Sequence, residues 1–153
     1  MKRTSAIRFL AVAAATAALG FAGANPAAAN GAVDWTNKMT GTCLDVNSKD
    51  YATMGPCTGD KNWYDVMQND TNWIEFENGS DGRRCLDSNA RGSVYVGPCD
   101  APEKNNRYQR WSEEKWKGGW VLKNVATGRC LAIDKADVRT LPCNANNPWQ
   151  FWE

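Results

Sequence analysis

The segments NKMTGTCLDV (37–46), NGSDGRRCLDS (78–88) and NVATGRCLAI (124–133) share an Asn, then a Gly, then Cys-Leu. A second cysteine follows the first after 14, 14 and 13 positions, at the end of YATMGPC, SVYVGPC and VRTLPC. The first cysteines of successive pairs lie 42 and 45 positions apart. Self-similarity at a nearly constant period indicates an internal repeat. We therefore predict three copies of one structural unit.

The stretches after the second cysteines also correspond, as KNWYDV, NNRYQRW and NNPWQFW. We align them in chain order as Tyr64-x-Val66, Gln109-x-Trp111 and Gln150-x-Trp152. Two copies thus keep a Gln-x-Trp pattern, and the first has drifted.

The pattern between these motifs predicts an all-β domain. Short β-rich runs are bounded by Asn, Gly, Asp and Pro, and no helical periodicity extends beyond a turn or two. A repeat of this length also suits a propeller blade, but three blades fall below the usual minimum of about four. We expect threefold closure into one barrel over residues 30–153, with repeats at about 34–73, 74–117 and 118–153.

The first 29 residues have the pattern of a signal peptide. Basic residues in MKRTSAIR (1–8) precede an uncharged apolar run at 9–21, and Ala27 and Ala29 are suited to signal peptidase. The apolar run is shorter than the about 20 residues that span a membrane. We expect cleavage after Ala29, secretion to the extracellular space and no membrane insertion.

Composition excludes several classes of function. Without the leader the chain has 15 basic and 17 acidic residues, a formal charge of −2, which does not favour a nucleic-acid partner. The absence of histidine excludes Ser-His and Cys-His catalysis and removes the commonest zinc ligand. Glycoside hydrolysis needs paired carboxylates, and Glu75, Glu77, Glu113 and Glu114 show no such pairing in sequence. We expect no enzyme activity.

A metal ion or other cofactor is not expected either. Asp45, Asn47 and Asp50 superficially resemble a calcium-binding loop. The Gly and the distal Glu of that motif are missing. The six cysteines all lie beyond the leader, in a region destined for an oxidising environment, and are expected to pair. Sequence alone leaves 15 possible pairings.

Cys-Leu-Asp, then Cys, then Gln-x-Trp, repeated after a signal peptide, resembles the ricin B-type lectins, whose fold is the β-trefoil. LDSNARGSVYVGPC and RYQRW in the second copy, with VATGRC and TLPCN in the third, are more narrowly similar to actinohivin-type lectins of actinomycetes, which recognise high-mannose glycans. The resemblance covers residues 35–153. It implies disulfides within repeats, Cys43 with Cys57, Cys85 with Cys99 and Cys130 with Cys143. Each would contribute about 3 kcal/mol.

The resemblance also implies that Trp111 and Trp152 pack in the core, with Gln109 and Gln150 as structural hydrogen-bonding partners. It further implies sugar-binding residues. The Asp after Cys-Leu is the hydroxyl acceptor in that family, which corresponds to Asp45 and Asp87. The third copy has Ala132 there, and we expect that Asp134, two positions on, reaches the same place. These aspartates have an alternative role as turn residues whose carboxylates accept backbone N–H bonds.

Three further positions border the pocket in the family: the Tyr of Val-Tyr, the residue after the second cysteine and the aromatic before Gln. In the second copy they are Tyr95, Asp100 and Tyr108. The other copies have, in chain order, Thr53, Thr58 and Trp63, then Arg139, Asn144 and Trp149. Asp100 departs from the family's Asn, and the insertion APEKNN precedes Arg107. We expect Tyr108, Trp63 and Trp149 at pocket mouths.

The sequence thus predicts a secreted lectin with up to three shallow pockets for mannose-, galactose- or xylan-type glycans. The alternative is a non-catalytic interaction or targeting subunit that binds another secreted protein, as part of an enzyme or toxin assembly.

Overall fold

The computed structural model describes residues 30–59, 62–68, 72–80, 83–101 and 104–153. The predicted leader lies outside the described residues. The strands are β1 (Gly31–Val33), β2 (Cys43–Val46), β3 (Ala52–Gly55), β4 (Trp63–Gln68), β5 (Asn72–Glu77), β6 (Arg84–Ser88), β7 (Val94–Pro98), β8 (Trp111–Trp116), β9 (Gly119–Asn124), β10 (Cys130–Asp134) and β11 (Asp137–Leu141). Two 3₁₀ helices span Arg107–Gln109 and Pro148–Gln150. Within the described ranges, no helix has the length and apolar character needed to cross a membrane.

Antiparallel pairs form a barrel that closes through the two ends of the domain. β1 pairs with β4, β4 with β5, β5 with β8 and β8 with β9. The C-terminal segment then joins β9 to the segment that follows β1. Trp152 and Trp120 exchange two backbone hydrogen bonds of 2.9 Å, and Glu153 and Thr36 exchange two more of 2.9 Å. These four bonds close the barrel between β9 and the N-terminal part of the domain.

Each repeat adds one β-hairpin, namely β2–β3, β6–β7 and β10–β11. Direct backbone hydrogen bonds link neighbouring hairpins, with Val96 N donating to Asp50 O at 2.7 Å and Thr140 N to Gly92 O at 2.9 Å. A barrel with three associated hairpins is the β-trefoil, so the threefold closure predicted from the repeats and the fold implied by the family resemblance are both confirmed.

The disulfides close the hairpins within their own repeats. The bonded pairs are Cys43–Cys57, Cys85–Cys99 and Cys130–Cys143. This is the pairing that the family resemblance implied.

Three fully buried tryptophans define the threefold core. The indole Nε1 of Trp63, Trp111 and Trp152 donates to the carbonyl oxygen of Leu44, Leu86 and Leu131, respectively. Trp63 is therefore the counterpart of Trp111 and Trp152. The alignment of Tyr64-x-Val66 with Gln-x-Trp is wrong, because the first repeat reaches its core tryptophan by a shorter loop. The position that corresponds to Gln109 is Lys61, which lies outside the described residues.

The Asn that opens a repeat holds the neighbouring repeat in place. Asn37 and Asn124 are fully buried. Their side-chain nitrogens donate to Trp149 O at 3.1 Å and to Tyr108 O at 2.7 Å. Their Oδ1 atoms accept N–H bonds from the following turns. These contacts explain why the repeat motif begins with Asn. They also hold the backbone of the two exposed aromatic residues, Trp149 and Tyr108, in place.

Candidate functional site

The second repeat brings its four predicted site residues together, beginning with Asp87 and Tyr95. These two residues face each other across β6 and β7. Asp87 is only 7% exposed, and its Oδ1 accepts from Ser88 N at 2.7 Å. Tyr95 is half-buried, and its hydroxyl donates to Ser88 O at 3.4 Å. A carboxylate thus lies at the base of the site with a phenol ring beside it.

Gln109 connects Asp87 to Asp100. Its Nε2 donates to Asp87 Oδ2 and to Pro98 O, both at 3.0 Å, and its Oε1 accepts from Asp100 N at 2.9 Å. The side chain is buried, as the core prediction requires. Since a carboxylate oxygen has two acceptor sites, Asp87 retains acceptor capacity after this bond. Gln109 therefore orients the carboxylate of Asp87 and leaves part of its acceptor capacity for a ligand.

The inserted loop supports the outer side of the site. Asp100 Oδ2 accepts from Asn106 Nδ2 at 2.8 Å, and its Oδ1 accepts from Lys104 Nζ at 3.1 Å. Asn106 also caps the 3₁₀ helix, where its Oδ1 accepts from Tyr108 N at 3.0 Å. Tyr108 is 38% exposed on that helix. The insertion thus positions an acidic group and an aromatic ring at the rim.

Electrostatics distinguish the two carboxylates. Burial raises the pKa of Asp87, with a further contribution from the charge of Asp100, while hydrogen bonds from Gln109 and Ser88 oppose the increase. Hydrogen bonds from Lys104 and Asn106 lower the pKa of Asp100. Burial and the nearby Asp87 and Tyr108 raise the pKa of Tyr95, which keeps its hydroxyl protonated. The site offers acceptors and neutral ring faces together, a combination that suits saccharide hydroxyls and C–H groups.

The first repeat contains only part of this arrangement. Asp45 Oδ1 accepts from Val46 N at 2.7 Å, as Asp87 does from its own neighbour. The residue opposite Asp45 is Thr53 rather than Tyr. The prediction that Trp63 lines a pocket is wrong, since this side chain is fully buried in the core. Thr58 is exposed, and no aromatic residue of the described part of this repeat matches Tyr108.

The third repeat keeps the aromatic residue and lacks the carboxylate. Gln150 Oε1 accepts from Asn144 N at 2.8 Å, in the same way that Gln109 binds Asp100. Trp149 is 38% exposed, like Tyr108. Ala132 is fully buried, and Asp134 lies at the hairpin tip with its Oδ2 3.7 Å from Arg139 Nη1.

Glu75 and Glu113, for which the sequence showed no pairing, are neighbours inside the barrel. Glu75 is fully buried and accepts from Trp35 Nε1 at 3.1 Å. Burial, with the nearby Glu113 and Asp65, raises the pKa of Glu75 well above its usual value. Burial raises the pKa of Glu113 to about 7. Among the described residues, Glu75 Oε1 and Glu113 Oε1 have no other hydrogen-bond partner, and a hydrogen bond between the two carboxyls requires a shared proton. The described residues contain no cluster of three His, Cys, Asp or Glu suited to a metal ion.

The sequence-family model of the ricin-type β-trefoil lectin domain matches residues 32–152 of the chain. The chain therefore belongs to this family, whose domains are generally non-catalytic carbohydrate-binding modules. No curated protein matches the chain significantly in sequence.

Solved structures share the fold at low sequence identity. The designed threefold-symmetric protein ThreeFoil superimposes with a TM-score of 0.66 at 17% identity, covering 78% of this chain and 94% of its own. The cytolethal distending toxin of Haemophilus ducreyi has a TM-score of 0.62 at 17% identity, covering 78% and 79%. A GlcNAcα1-4Gal-releasing endo-β-galactosidase from Clostridium perfringens has a TM-score of 0.65 at 16% identity, covering 78% of this chain and 31% of the enzyme. These likenesses establish the fold alone.

Proposed function

We propose that this chain is a secreted lectin whose principal glycan-binding pocket is formed by Asp87, Tyr95, Asp100 and Tyr108. The observation that carries the proposal is the side chain of Gln109, which bonds both to Asp87 Oδ2 and to the backbone of Asp100. It places two acidic groups within one pocket beside two tyrosines. Gln150 makes the same backbone bonds in the third repeat, whereas the bond from Gln109 to Asp87 is particular to the second.

The other repeats contribute less to binding in this proposal. The first has Asp45 without an opposing tyrosine, and the third has Trp149 without a carboxylate. Because linked weak sites raise avidity only when each binds, the second pocket accounts for most of the affinity. The similarity of the second repeat to the actinohivin-type lectins supports a mannose-type ligand. Asp100 in place of Asn makes galactose- and xylan-type glycans necessary comparisons.

Replacement of Asp87 by Ala tests the pocket, and Asp45→Ala is the matched control. Both aspartates follow Cys-Leu and accept from the next backbone N–H at 2.7 Å, so both variants lose the same local bond. We expect Asp87→Ala to weaken glycan binding about tenfold or more, since a hydrogen bond to a charged group contributes about 1.5–3 kcal/mol.

A glycan array followed by calorimetry on the best ligand measures the effect, with thermal melting as a check on folding. Asp45→Ala should retain most of the affinity. Equal losses in the two variants, or no retention of the wild-type protein on mannan, xylan or galactose matrices, would contradict the proposal.

A second candidate function is that of a targeting subunit in a secreted assembly. It is favoured by the structural likeness to cytolethal distending toxins and to a mosquitocidal holotoxin, which has a TM-score of 0.67 at 8% identity. Purification of the native protein from culture supernatant distinguishes the two candidates. A lone monomer of mature size supports the free lectin, and stable co-elution with another secreted protein supports the subunit.

A further inference from the structure

A cavity of about 350 Å³ opens where the three hairpins meet. Ala52, Val94 and Val138, one from each hairpin, are its buried apolar lining. Each of the three lies five residues before the second cysteine of its repeat. Residues related in this way surround the pseudo-threefold axis of the trefoil. The cavity is therefore axial, apart from the pocket at Asp87.

The third hairpin differs from the other two in the length of its loop and in its backbone bonds to a neighbouring hairpin. The first two hairpins have three-residue loops, at 48–50 and 90–92, whose last residues Asp50 and Gly92 have positive φ. The carbonyls of these two residues accept the bonds that link neighbouring hairpins. The third hairpin has only the two residues 135–136 in its loop. Among the described residues, no corresponding backbone bond links the third hairpin to the first.

The small side chain of Ala52 in the first hairpin enlarges the cavity. Ala52 occupies the position at which the other hairpins have Val94 and Val138. Two methyl groups are thereby absent from the axis. The volume of the cavity falls at the lower end of the range of about 300–1,000 Å³ that is usual for small-molecule sites.

The polar groups around the cavity include one cation, one anion and an exposed aromatic ring. Arg139 has only long contacts, with Nη1 3.7 Å from Asp134 Oδ2 and Nη2 donating to Arg91 O at 3.4 Å. Because a guanidinium has five N–H donors, Arg139 retains several for a ligand. Asp137 is exposed and supplies acceptors, and Tyr51 is 53% exposed. Donor, acceptor and ring with no net charge suit a neutral sugar.

A groove adjoins this cavity on the side of the second hairpin. It has a volume of about 320 Å³ and runs between the first and second hairpins. Tyr51 and Ser93 line both the groove and the cavity, and Tyr95 lines the groove at the side of Asp87. The backbones of Tyr51 and Tyr95 are paired in an antiparallel bridge. The groove therefore lies between the cavity and the strand pair that carries Asp87.

We propose that the axial cavity is a saccharide subsite that continues the second-repeat pocket, so that the preferred ligand is a neutral oligosaccharide spanning both. In this arrangement Asp87 and the tyrosines hold one end of the oligosaccharide, and Tyr51, Asp137 and Arg139 hold a unit further along. The ligand class rests on the function proposed above, whereas the axial residues are separate from those of the pocket.

Chemical-shift mapping of the ¹⁵N-labelled protein tests the subsite, with mannose, galactose and xylose and their tetrasaccharides as probes. We expect the preferred tetrasaccharide to shift the amides of Asp87, Val94 and Val138 together. Arg139→Ala should weaken tetrasaccharide binding about tenfold and leave monosaccharide binding at Asp87 unchanged. Arg91→Ala is the matched control, because it removes an arginine from a neighbouring hairpin tip outside the cavity lining, and it should change neither affinity. Ala52→Val, which refills the axis, should reproduce the loss.

The outcomes separate this proposal from the one on which it rests. Shifts around Asp87 without shifts at Val94 and Val138, or equal effects of Arg139→Ala and Arg91→Ala, overturn the axial subsite and leave the second-repeat pocket intact. Shifts confined to the axis overturn the second-repeat pocket, and with it the continuous site. Thermal melting of each variant confirms that it is folded.

Discussion

Gln109 and Gln150 occupy the same place in two repeats and make the same structural bonds. Each donates from Nε2 to the carbonyl oxygen of the proline before the second cysteine, and each accepts from the N–H of the residue after it. Gln109 makes one more bond, to Asp87. The same residue type is structural in both repeats, and in the second it also orients the proposed sugar acceptor.

Alanine substitutions at Gln109 and Gln150 distinguish the structural role from the role in orienting Asp87. We expect Gln109→Ala and Gln150→Ala each to lower the free energy of unfolding by about 1–3 kcal/mol, because buried backbone groups lose their partners. Only Gln109→Ala should also weaken glycan binding, since Asp87 loses its orienting donor. Urea denaturation and glycan titration measure the two effects. Equal loss of glycan affinity in both variants would contradict the role assigned to Gln109.

At the scale of the hairpin, the second disulfide stabilises an element that carries the site. Cys99 is followed directly by Asp100, and Cys85 is followed two residues later by Asp87. The bond between the cysteines therefore ties together both acidic residues. The third disulfide closes an equivalent loop in a repeat that has Ala132 in place of the acceptor aspartate.

Removal of each disulfide should have similar effects on stability and different effects on binding. We expect the double variants Cys85→Ala/Cys99→Ala and Cys130→Ala/Cys143→Ala each to lose about 3 kcal/mol of unfolding free energy, because the closed loops are of nearly equal length. The first should bind glycan more weakly, and the second should keep its affinity. Calorimetric melting and glycan titration of the two variants provide the check. A larger affinity loss in the second variant would contradict this assignment.

At the scale of the whole molecule, the buried pair Glu75 and Glu113 couples the stability of the barrel to pH. The pKa of Glu113 is about 7 and that of Glu75 is also raised, so the folded barrel holds protons that the unfolded chain releases near its usual pKa of 4.5. The contribution of this pair to the free energy of unfolding is therefore greatest below pH 4.5 and decreases as pH rises through about 7.

Glu113→Gln tests this coupling. Each extra proton held by the folded state contributes a slope of about 1.4 kcal/mol per pH unit. We expect the free energy of unfolding of the wild type to fall as pH rises from 4.5, the usual pKa, to about 7, the pKa of Glu113 in the folded barrel. Glu113→Gln should flatten that decrease, and Glu153→Gln, at an exposed carboxylate, should not. Urea denaturation across this range measures the slopes, and an unchanged slope in Glu113→Gln would contradict the shared proton.

The sequence by itself determined the threefold repeat, the all-β class and the recurrence of Gln-x-Trp at Trp111 and Trp152. These features depend on periodicity, which a single chain displays directly. The family resemblance added the disulfide pairing. The first repeat was misaligned at Trp63, because the number of residues between a cysteine and its core tryptophan varies with loop length, and only the common indole bond to a leucine carbonyl identifies the counterpart.

Only the tertiary structure decided how the repeats meet. Three features depend on residues from different strands or different repeats. They are the bond from Gln109 to Asp87, the proximity of Glu75 to Glu113 and the cavity on the axis. The distances between these residues depend on how the barrel closes. Local sequence patterns do not encode such distances, because side chains far apart in the chain become neighbours only after all three repeats have packed.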